Sequence, residues 1–364
     1  MRFSMLCLSG LCSVLFFACS PAATTGESWS QLPSIAAGNG YELGVSAPFI
    51  GTLDRRVIVA GGCNFPDVPA ADGGAKRFYA DIFALDKDFS GWESIGTLPQ
   101  PLAYGASFTT PAGIVCAGGT DSTGRPVRDV FLITRNGTTP LAPLPEAADN
   151  CAGTYLDGKG YVVGNRSLYI YDCVTDRWRS LALPDNRRRL QAVCVAQVGK
   201  IWIFGGYDSA EGSPLALNYV YDPTTEDWET ITIPKSENDG LLAAGGTAVA
   251  WGTDSIVCFG GVNTAVFTGA LERGRALASD PANDSLRNAQ REYMEHEPAW
   301  YRFNDRLLIR NTISGEWTVS SVPAPQSARA GAAAVTTPDK TGIVLFNGEV
   351  KPGVRTPEVW LWRP

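Results

Sequence analysis

The 364-residue sequence predicts an all-β protein, a six-bladed β-propeller that is closed by its own N-terminal strand. Three observations lead to this prediction. An apolar strand that ends in two glycines, or in a close variant, occurs six times, and most units also carry a later strand that opens with tryptophan and closes with proline. The last unit lacks its tryptophan strand, whereas residues 29–33 supply one at the other end of the chain. A ring closed in this way leaves no unpaired sheet edge.

The glycine-ended strand is expected to be the second strand of each blade. Its six endings are Gly61-Gly62, Gly118-Gly119, Gly164-Asn165, Gly205-Gly206, Gly260-Gly261 and Asn347-Gly348. Clear tryptophan strands span 92–99, 178–184, 228–234 and 317–323, and 140–145 is a degenerate copy without tryptophan. The pattern resembles Kelch repeats. A seventh pair of signals is missing from the sequence, so six blades are predicted.

Composition restricts the class of protein. Hydrophobic residues make up 45% and charged residues 18% of the sequence, which is typical of a soluble globular protein. The length suits one large all-β domain, predicted over 20–364. The net charge of −7 argues against a nucleic-acid partner, although the basic cluster of Arg187, Arg188 and Arg189 could bind a small anion.

The first 19 residues have the features of an export signal. Arg2 provides the positive end, and 5–17 form an apolar run that is too short to span a membrane. The segment ends in a sequence that resembles a bacterial lipobox, with Cys19 as the lipidated residue; ordinary signal cleavage nearby is the alternative. We therefore expect an exported bacterial protein, periplasmic or anchored to the outer membrane, whose only membrane contact is this lipid.

The nine cysteines favour free buried thiols over disulfides. Cys7 and Cys12 lie in the signal, and Cys116 and Cys258 occupy matching places in different repeats, where a small apolar residue suffices. The sequence contains neither a Cys-x-x-Cys pair nor a cluster of cysteine and histidine. We expect no metal site and no cofactor.

Strand direction predicts that the polar loops gather on one face. Strands alternate in direction within a blade, so residues that follow the second strands and residues that enter the first strands share one side. The first set is Asn64, Thr120, Tyr207, Asn263 and Glu349, and the second is Tyr104, Arg189 and Arg329. Of these, Asn64, Asn263, Tyr104, Arg189 and Arg329 are the candidate substrate-binding residues.

A long insertion, 264–301, is predicted to leave blade five on the same face. It contains a plausible helix over 284–295 with Asp284 as its N-cap. Such a loop is usually a lid or a binding element; a surface insertion without a role is the alternative. His296, the only histidine of the chain, lies in it, and we expect it on the lid surface, with a ligand or catalytic role as the less favoured reading.

The segment 347–356 carries the strongest chemical signal. Glu349 and Arg355 lie on either side of Pro352-Gly353, a pair that favours a type II turn, so the carboxylate and the guanidinium face the same small volume. A proton-transfer group beside an anion binder suits chemistry on an acidic sugar, whereas a simple ion pair that orders the loop is the alternative.

Several enzyme classes are disfavoured by what the sequence lacks. One histidine is too few for a copper oxidase site on such a propeller. The nucleophile elbow of a Ser-His-Asp hydrolase and the Asp-box repeats of a sialidase do not occur in the sequence.

The segment Asn-Gly-Glu-x-Lys-Pro-Gly-x-Arg-Thr resembles the signature loop of bacterial N-acetylneuraminate epimerases, the sialic acid mutarotases. The resemblance covers essentially all of the mature chain, with the blades in a different starting order, as in a cyclically permuted branch of the family. The chain departs from the family pattern at Thr120, where an acidic residue is usual, and in the residues that flank Arg189.

The resemblance implies interconversion of the α and β anomers of N-acetylneuraminate. Glu349 and Arg355 match the two functional residues of the family; Arg355 would bind the C1 carboxylate, with help from Arg189. The implied partner is a small acidic sugar, and the protein is expected to be a monomer or a weak dimer. The alternative is a Kelch propeller lipoprotein that binds glycans or proteins without turnover.

Overall fold

Six four-stranded antiparallel sheets form the blades of the ring, as the computed structural model shows. The structure describes residues 27–210, 213–215, 217–233 and 244–364. The predicted export signal and Cys19 lie outside these ranges, so export and lipidation stay predictions. The predicted six-bladed β-propeller is confirmed.

Each blade is built from strands that are adjacent in the chain, except the last. Blade one comprises Phe49–Leu53, Arg56–Ala60, Asp81–Leu85 and Trp92–Thr97; blade two Ala106–Thr110, Gly113–Ala117, Val130–Thr134 and Gly137–Pro140; blade three Ala152–Leu156, Lys159–Gly164, Ser167–Asp172 and Arg177–Ala182. Blade four comprises Leu190–Gln197, Lys200–Asp208, Asn218–Asp222 and Asp227–Ile231; blade five Gly246–Trp251, Ser255–Gly260, Leu308–Asn311 and Trp317–Val319; blade six Ala333–Thr336, Ile343–Phe346, Val359–Arg363 and the N-terminal Ser28–Leu32.

Shorter elements decorate the loops. The small strands are Cys63–Asn64 with Arg77–Phe78, Leu102–Ala103 with Thr120–Asp121, Glu349–Lys351 with Val354–Arg355, and Ser213–Pro214 against Lys200–Asp208. Short 3-10 helices span Tyr41–Leu43, Ala70–Asp72, Pro298–Tyr301 and Pro325–Ser327.

The N-terminal strand closes the ring as predicted. Ser28–Leu32 pairs antiparallel with Val359–Arg363 along its whole length, which places Trp29 opposite Trp362. The indole of Trp29 also packs edge-on against Phe259 of blade five, with 6.1 Å between ring centroids. The closing strand is therefore held both by its own sheet and by the hydrophobic layer between two blades.

The double glycines keep a left-handed backbone where the loops of neighbouring blades meet. At Gly61, φ is +63°, and a Cβ atom would lie 2.3 Å from the carbonyl oxygen of Leu102. At Gly260, φ is +65°, and a Cβ atom would lie 2.2 Å from the carbonyl oxygen of Arg329. Any larger residue would push the next blade away, which explains the repeated glycine.

A closed ring of backbone hydrogen bonds joins the six blades around the central channel. One residue at or just before the start of each innermost strand has a left-handed φ; these residues are Ala47, Tyr104, Asn150, Gln191, Gly245 and Gly331. The backbone amide of each of these residues donates a hydrogen bond to the backbone carbonyl of the equivalent residue in the preceding blade, over 2.7–3.2 Å. In blade three the donor is the amide of the next residue, Cys151. The ring fixes the rim of the channel, where the site described below lies.

The insertion of blade five contains two helices instead of the one predicted. α1 spans Thr264–Ser279 and α2 spans Asp284–Glu295. α1 was not predicted from the sequence, because it carries the poor helix formers Gly269 and Gly274. The N-cap of α2 lies one residue earlier than predicted.

The N-cap of α2 is Asn283. Its side chain accepts a hydrogen bond from the amide of Leu286 while its own backbone is extended. Asp284, the predicted cap, is already the first helical residue. In the described part of the chain, neither helix is long and apolar enough to cross a membrane.

The six cysteines that the structure describes are all free thiols, in agreement with the sequence prediction. Cys116 and Cys258 are fully buried at equivalent places in blades two and five. Burial raises the pKa of both thiols above the ordinary value, so they remain protonated and act as small apolar core residues.

Candidate active site

Glu349 and Arg355 face each other across a small hairpin, as predicted. They are direct partners in the pairing of Glu349–Lys351 with Val354–Arg355, and the turn between the strands has φ of +81° at Gly353, as a type II turn requires. The Nη2 atom of Arg355 lies 3.1 Å from Oε2 of Glu349. The Glu349 side chain is 23% exposed and that of Arg355 only 3%, so the carboxylate is the more accessible group.

Arg355 is held from several sides. Its Nε and Nη2 atoms donate to the Oγ atom of Ser46 over 3.1 and 3.0 Å, and its guanidinium lies 5.0 Å from the ring centroid of Phe65. Its Nη1 atom is buried and has no hydrogen-bond partner within the described residues. Burial is the largest influence on the pKa of Arg355 and lowers it, but Glu349, Cys63 and Tyr104 together outweigh burial, so the pKa lies above the ordinary value and the cation persists.

A cavity of about 200 Å³ lies beside Glu349, and the blade-five insertion covers it. Its polar residues include Ser46, Tyr104, Gln191 and Glu349. The insertion and the segments beside it contribute a mainly apolar wall of Val262, Val266, Phe267, Tyr293, Tyr301 and Phe303. Because this wall removes water from around a carboxylate, it strengthens the electrostatic interactions of the site.

The insertion is docked against the hairpin of Glu349. The Nζ atom of Lys351 donates to the carbonyl oxygen of His296 over 2.9 Å, at the end of α2. A Cβ atom at Gly353 would lie 3.2 Å from the Cε atom of Met294. These contacts support the predicted role of the insertion as a lid.

A second, more open cavity of about 420 Å³ adjoins the first. Tyr104 and Gln191 line both, and the second has a mainly polar wall that also includes Lys76, Thr120, Asp149, Asn150 and Tyr207. Together the two cavities fall within the range of ~300–1,000 Å³ that is usual for small-molecule sites. The structure therefore offers one composite site with an apolar half under the lid and a polar half towards blades two to four.

Tyr104 stands at the boundary between the two halves. Its hydroxyl accepts hydrogen bonds from Nζ of Lys76 over 2.9 Å and from Sγ of Cys63 over 3.3 Å. Burial is the main reason why the pKa of Tyr104 is raised well above the ordinary value, and the charges of Cys63 and Glu349 add to it. The phenol is therefore neutral at physiological pH.

Arg189 and Arg329 do not reach the cavities. The guanidinium of Arg189 donates to the carbonyl oxygens of Gly205 and Leu217 and pairs with Asp185 over 3.3 Å. Arg329 donates to the carbonyl of Asn347 over 2.9 Å and pairs with Glu358 over 3.2 Å.

The two arginines hold equivalent corners of blades four and six. Each arginine precedes the first strand of its blade, and its guanidinium binds backbone at the end of the second strand. The side chains of Arg189 and Arg329 are 0% and 2% exposed. Burial lowers the pKa of both. This position does not agree with the predicted role in substrate binding.

Two predicted asparagines also have structural partners. The amide of Asn64 donates to the carbonyls of Gly40 and Gly44, and its oxygen accepts from the hydroxyl of Tyr79. Asn263 is the N-cap of α1, and its side chain accepts from the amide of Val266 over 3.1 Å while also lining the first cavity. Asn64 thus orders a loop outside the cavity, and Asn263 orients the lid from inside it.

His296 lies at the C-terminal end of α2, where its imidazole stacks on Trp300 with 3.9 Å between ring centroids. It is not among the residues that line the two cavities in the described part of the chain. The position matches the expected lid-surface role better than a catalytic one.

Sequence reasoning missed several cavity residues. Gln191 and Asn150 occupy the same left-handed position as Tyr104 in their own blades, so alignment of the repeats on Tyr104 could have found them. Ser46 precedes the equivalent position of blade one, Ala47. Lys76 lies in an irregular loop and carries no repeat signal.

The fold and the site together define a six-bladed propeller with a lidded carboxylate–arginine site on one face. The profile of the N-acetylneuraminate epimerase family matches residues 19–140 and 141–363. The chain therefore belongs to the N-acetylneuraminate epimerase family.

Similar proteins carry the same family description. The chain is 32% identical over 228 residues to the N-acetylneuraminate epimerase of Yersinia enterocolitica, which covers 60% of this chain and 56% of that protein. It is 31% identical over 237 residues to the N-acetylneuraminate epimerase of Haemophilus influenzae strain PittEE, which covers 63% of this chain and 60% of that protein. The chain thus spans less than two thirds of the length of these relatives.

The family match breaks at a blade boundary. Its two segments meet between residues 140 and 141, directly after the last strand of blade two. A permuted blade order would also restrict a collinear alignment to part of the ring, as found with the relatives above. Moving the ends of the chain from one blade to another leaves the site unchanged in a closed ring.

Proposed function

We propose that this protein interconverts the α and β anomers of N-acetylneuraminate through acid–base-assisted opening of the cyclic hemiketal. The placement of Glu349 in a lidded cavity, charge-paired with a buried arginine, is the observation that carries the proposal. Membership of the N-acetylneuraminate epimerase family supports the choice of sugar.

Glu349 is the proposed base. It takes the proton of the anomeric hydroxyl as the bond between C2 and the ring oxygen breaks and the C2 carbonyl forms, while a second group protonates the ring oxygen. Rotation about the C2–C3 bond and closure onto the other carbonyl face reverse both proton transfers. The reaction is balanced in protons and electrons, because no atom is oxidised or lost and Glu349 is again a carboxylate at the end.

Arg355 has two proposed tasks. It fixes the orientation of Glu349 through the 3.1 Å ion pair, and its positive charge, although the guanidinium is buried and lines neither cavity, attracts the carboxylate of the sugar towards Glu349. Lys76, on the other side of Tyr104, supplies a second cation at the polar half of the site.

The two halves of the site match the two sides of the sugar. We propose that the methyl group of the N-acetyl substituent contacts the apolar wall around Val266 and Phe267. The hydroxylated tail then faces the polar wall around Thr120 and Asp149. Arg189, which the family resemblance suggested as an assistant, has no part in this arrangement.

Anomer exchange measured by NMR tests the proposal directly. In a solution of N-acetylneuraminate at equilibrium, the protein is expected to raise the rate of magnetisation exchange between the two anomers far above the buffer rate. Exchange no faster than buffer, in a sample shown to be folded, would contradict the mutarotase function and favour a propeller that binds glycans or proteins without turnover.

We further propose that the protein is exported and carries a lipid on Cys19. The supporting observation is the signal-like composition of 1–19 and its lipobox-like end. In a bacterial host fed an alkyne fatty acid, the full-length chain is expected to become labelled, and Cys19→Ser is expected to abolish the label. If the wild-type chain were secreted but not labelled, the proposal of export would stand and the proposal of lipidation on Cys19 would be wrong.

A further inference from the structure

The phenol of Tyr104 has no assigned role in the reaction as proposed above. It lines both halves of the site, and its backbone belongs to the hydrogen-bond ring around the channel. Tyr293 and Tyr301 line only the half that lies under the lid. A group at the boundary between the halves lies beside the sugar ring, whichever way the two substituents are placed.

The hydrogen bonds of Tyr104 leave its proton available. Its oxygen accepts from Lys76 and from Cys63, and the phenolic hydrogen has no acceptor within the described residues. The Nζ donor of Lys76 lies where it can stabilise negative charge on this oxygen when the proton is given up. The arrangement suits a proton donor aimed into the site.

The backbone of Tyr104 is held in a conformation that bulky residues rarely adopt. Its φ is +64°, in the left-handed region. The hydrogen-bond ring of the channel maintains it, since the amide of Tyr104 donates to Ala47 and its carbonyl accepts from Cys151. Strain of this kind is concentrated at functional sites, and here it directs an aromatic side chain into the cavity instead of the core.

The groups that face Tyr104 come from two elements. Lys76 and Cys63 belong to the segment between the second and third strands of blade one, and Glu349 and Arg355 to the hairpin of blade six. Burial, reinforced by the charges of Cys63 and Glu349, raises the pKa of the phenol well above its ordinary value, against the opposing charge of Arg355. The phenol is therefore protonated at physiological pH, as a proton donor must be.

We propose that Tyr104 is the general acid that protonates the ring oxygen while Glu349 deprotonates the anomeric hydroxyl. In the opening step the O–H bond of Tyr104 breaks, a new O–H bond forms on the former ring oxygen, and the ammonium group of Lys76 stabilises the phenolate. In the closing step the phenolate takes that proton back as the hydroxyl attacks C2. The inference rests on the proposed mutarotase function.

The test is the NMR exchange measurement on Tyr104→Phe, which keeps the ring and removes the proton. We expect the exchange rate at saturating N-acetylneuraminate to fall about 100-fold, the low end of the range for general acid–base catalysis, with little change in the concentration that gives half the maximal rate. Tyr41→Phe is the matched control. Its hydroxyl is also buried but donates to the carbonyl of Gly61, outside both cavities, and the exchange rate should not change.

A second variant separates proton donation from packing. Trifluorotyrosine at position 104 keeps the hydroxyl but ionises at lower pH, so the exchange rate is expected to fall on the alkaline side at a pH where the unmodified protein is still active. Wild-type exchange in Tyr104→Phe, or a pH profile that fluorination does not move, would overturn the inference while leaving the mutarotase function intact. A wild-type protein that does not accelerate exchange would overturn both.

Discussion

Replacing Glu349 with glutamine is expected to slow anomer exchange by about 10²–10⁴-fold, the range for losing a positioned general base. Glutamine keeps the size of the side chain and one acceptor oxygen for Arg355, but it cannot take a proton from the anomeric hydroxyl. The measurement is the NMR exchange rate at saturating N-acetylneuraminate, with substrate binding followed in the same samples. Binding should persist, because the cavity walls are unchanged.

Loss of the carboxylate also leaves Arg355 without its counter-ion, so a second variant is needed. Glu349→Asp retains the charge beside Arg355 and withdraws it from the cavity by one methylene. We expect it to preserve folding stability and still lower the exchange rate. Glu226→Gln removes an exposed glutamate that pairs with Arg179 over 2.6 Å and should alter neither property. Full activity in both Glu349 variants would contradict the assignment of the base.

The fold could be predicted because its signals are backbone signals. A left-handed residue is needed where two blades meet; it is glycine at Gly61 and Gly260 and asparagine at Asn165 and Asn347, so the signal recurs in every unit and reveals the number of blades. The missing tryptophan strand at one end and the extra one at the other predicted the closure by Ser28–Leu32. Helix α1 was missed because two glycines weaken its propensity and tertiary contacts decide its formation.

The centre of the site was predictable for a similar local reason. Glu349 and Arg355 are brought together by a two-residue turn that lies between them in the sequence, so no tertiary information was needed. Lys76, Asp149 and Gln191 reach the same cavities from three separate segments. These residues come together only because the ring closes, so no single segment of the sequence predicts that they share a site.

Arg189 and Arg329 illustrate what strand direction alone does not decide. The sequence placed both on the face that carries the site, but a residue entering a first strand can turn either to the channel or into the corner of its own blade. The structure turns these long side chains into the corner, where main-chain carbonyls of the loops need donors. Tyr104, two positions further along in its blade, turns to the channel.

Replacing Arg189 with methionine is therefore expected to destabilise the fold without altering the chemistry. The change leaves the carboxylate of Asp185, 9% exposed, and the carbonyls of Gly205 and Leu217 without their donor. Removing one partner of a buried ion pair usually costs about 3–5 kcal/mol of unfolding free energy. Denaturant unfolding measures that loss, and the NMR exchange rate of the remaining folded protein should equal that of the wild type at every substrate concentration.

Arg179→Met provides the matched comparison for that experiment, because Arg179 also pairs with an acidic residue but its side chain is 43% exposed. Its unfolding free energy should change by no more than about 1 kcal/mol, as for other exposed ion pairs. If Arg189→Met were as stable as the wild type and instead required more N-acetylneuraminate for half-maximal exchange, Arg189 would have to leave its corner to bind the sugar. The contacts of Arg189 argue against such a movement, because its guanidinium is held by the carbonyls of Gly205 and Leu217, the carboxylate of Asp185 and the ring of Tyr219.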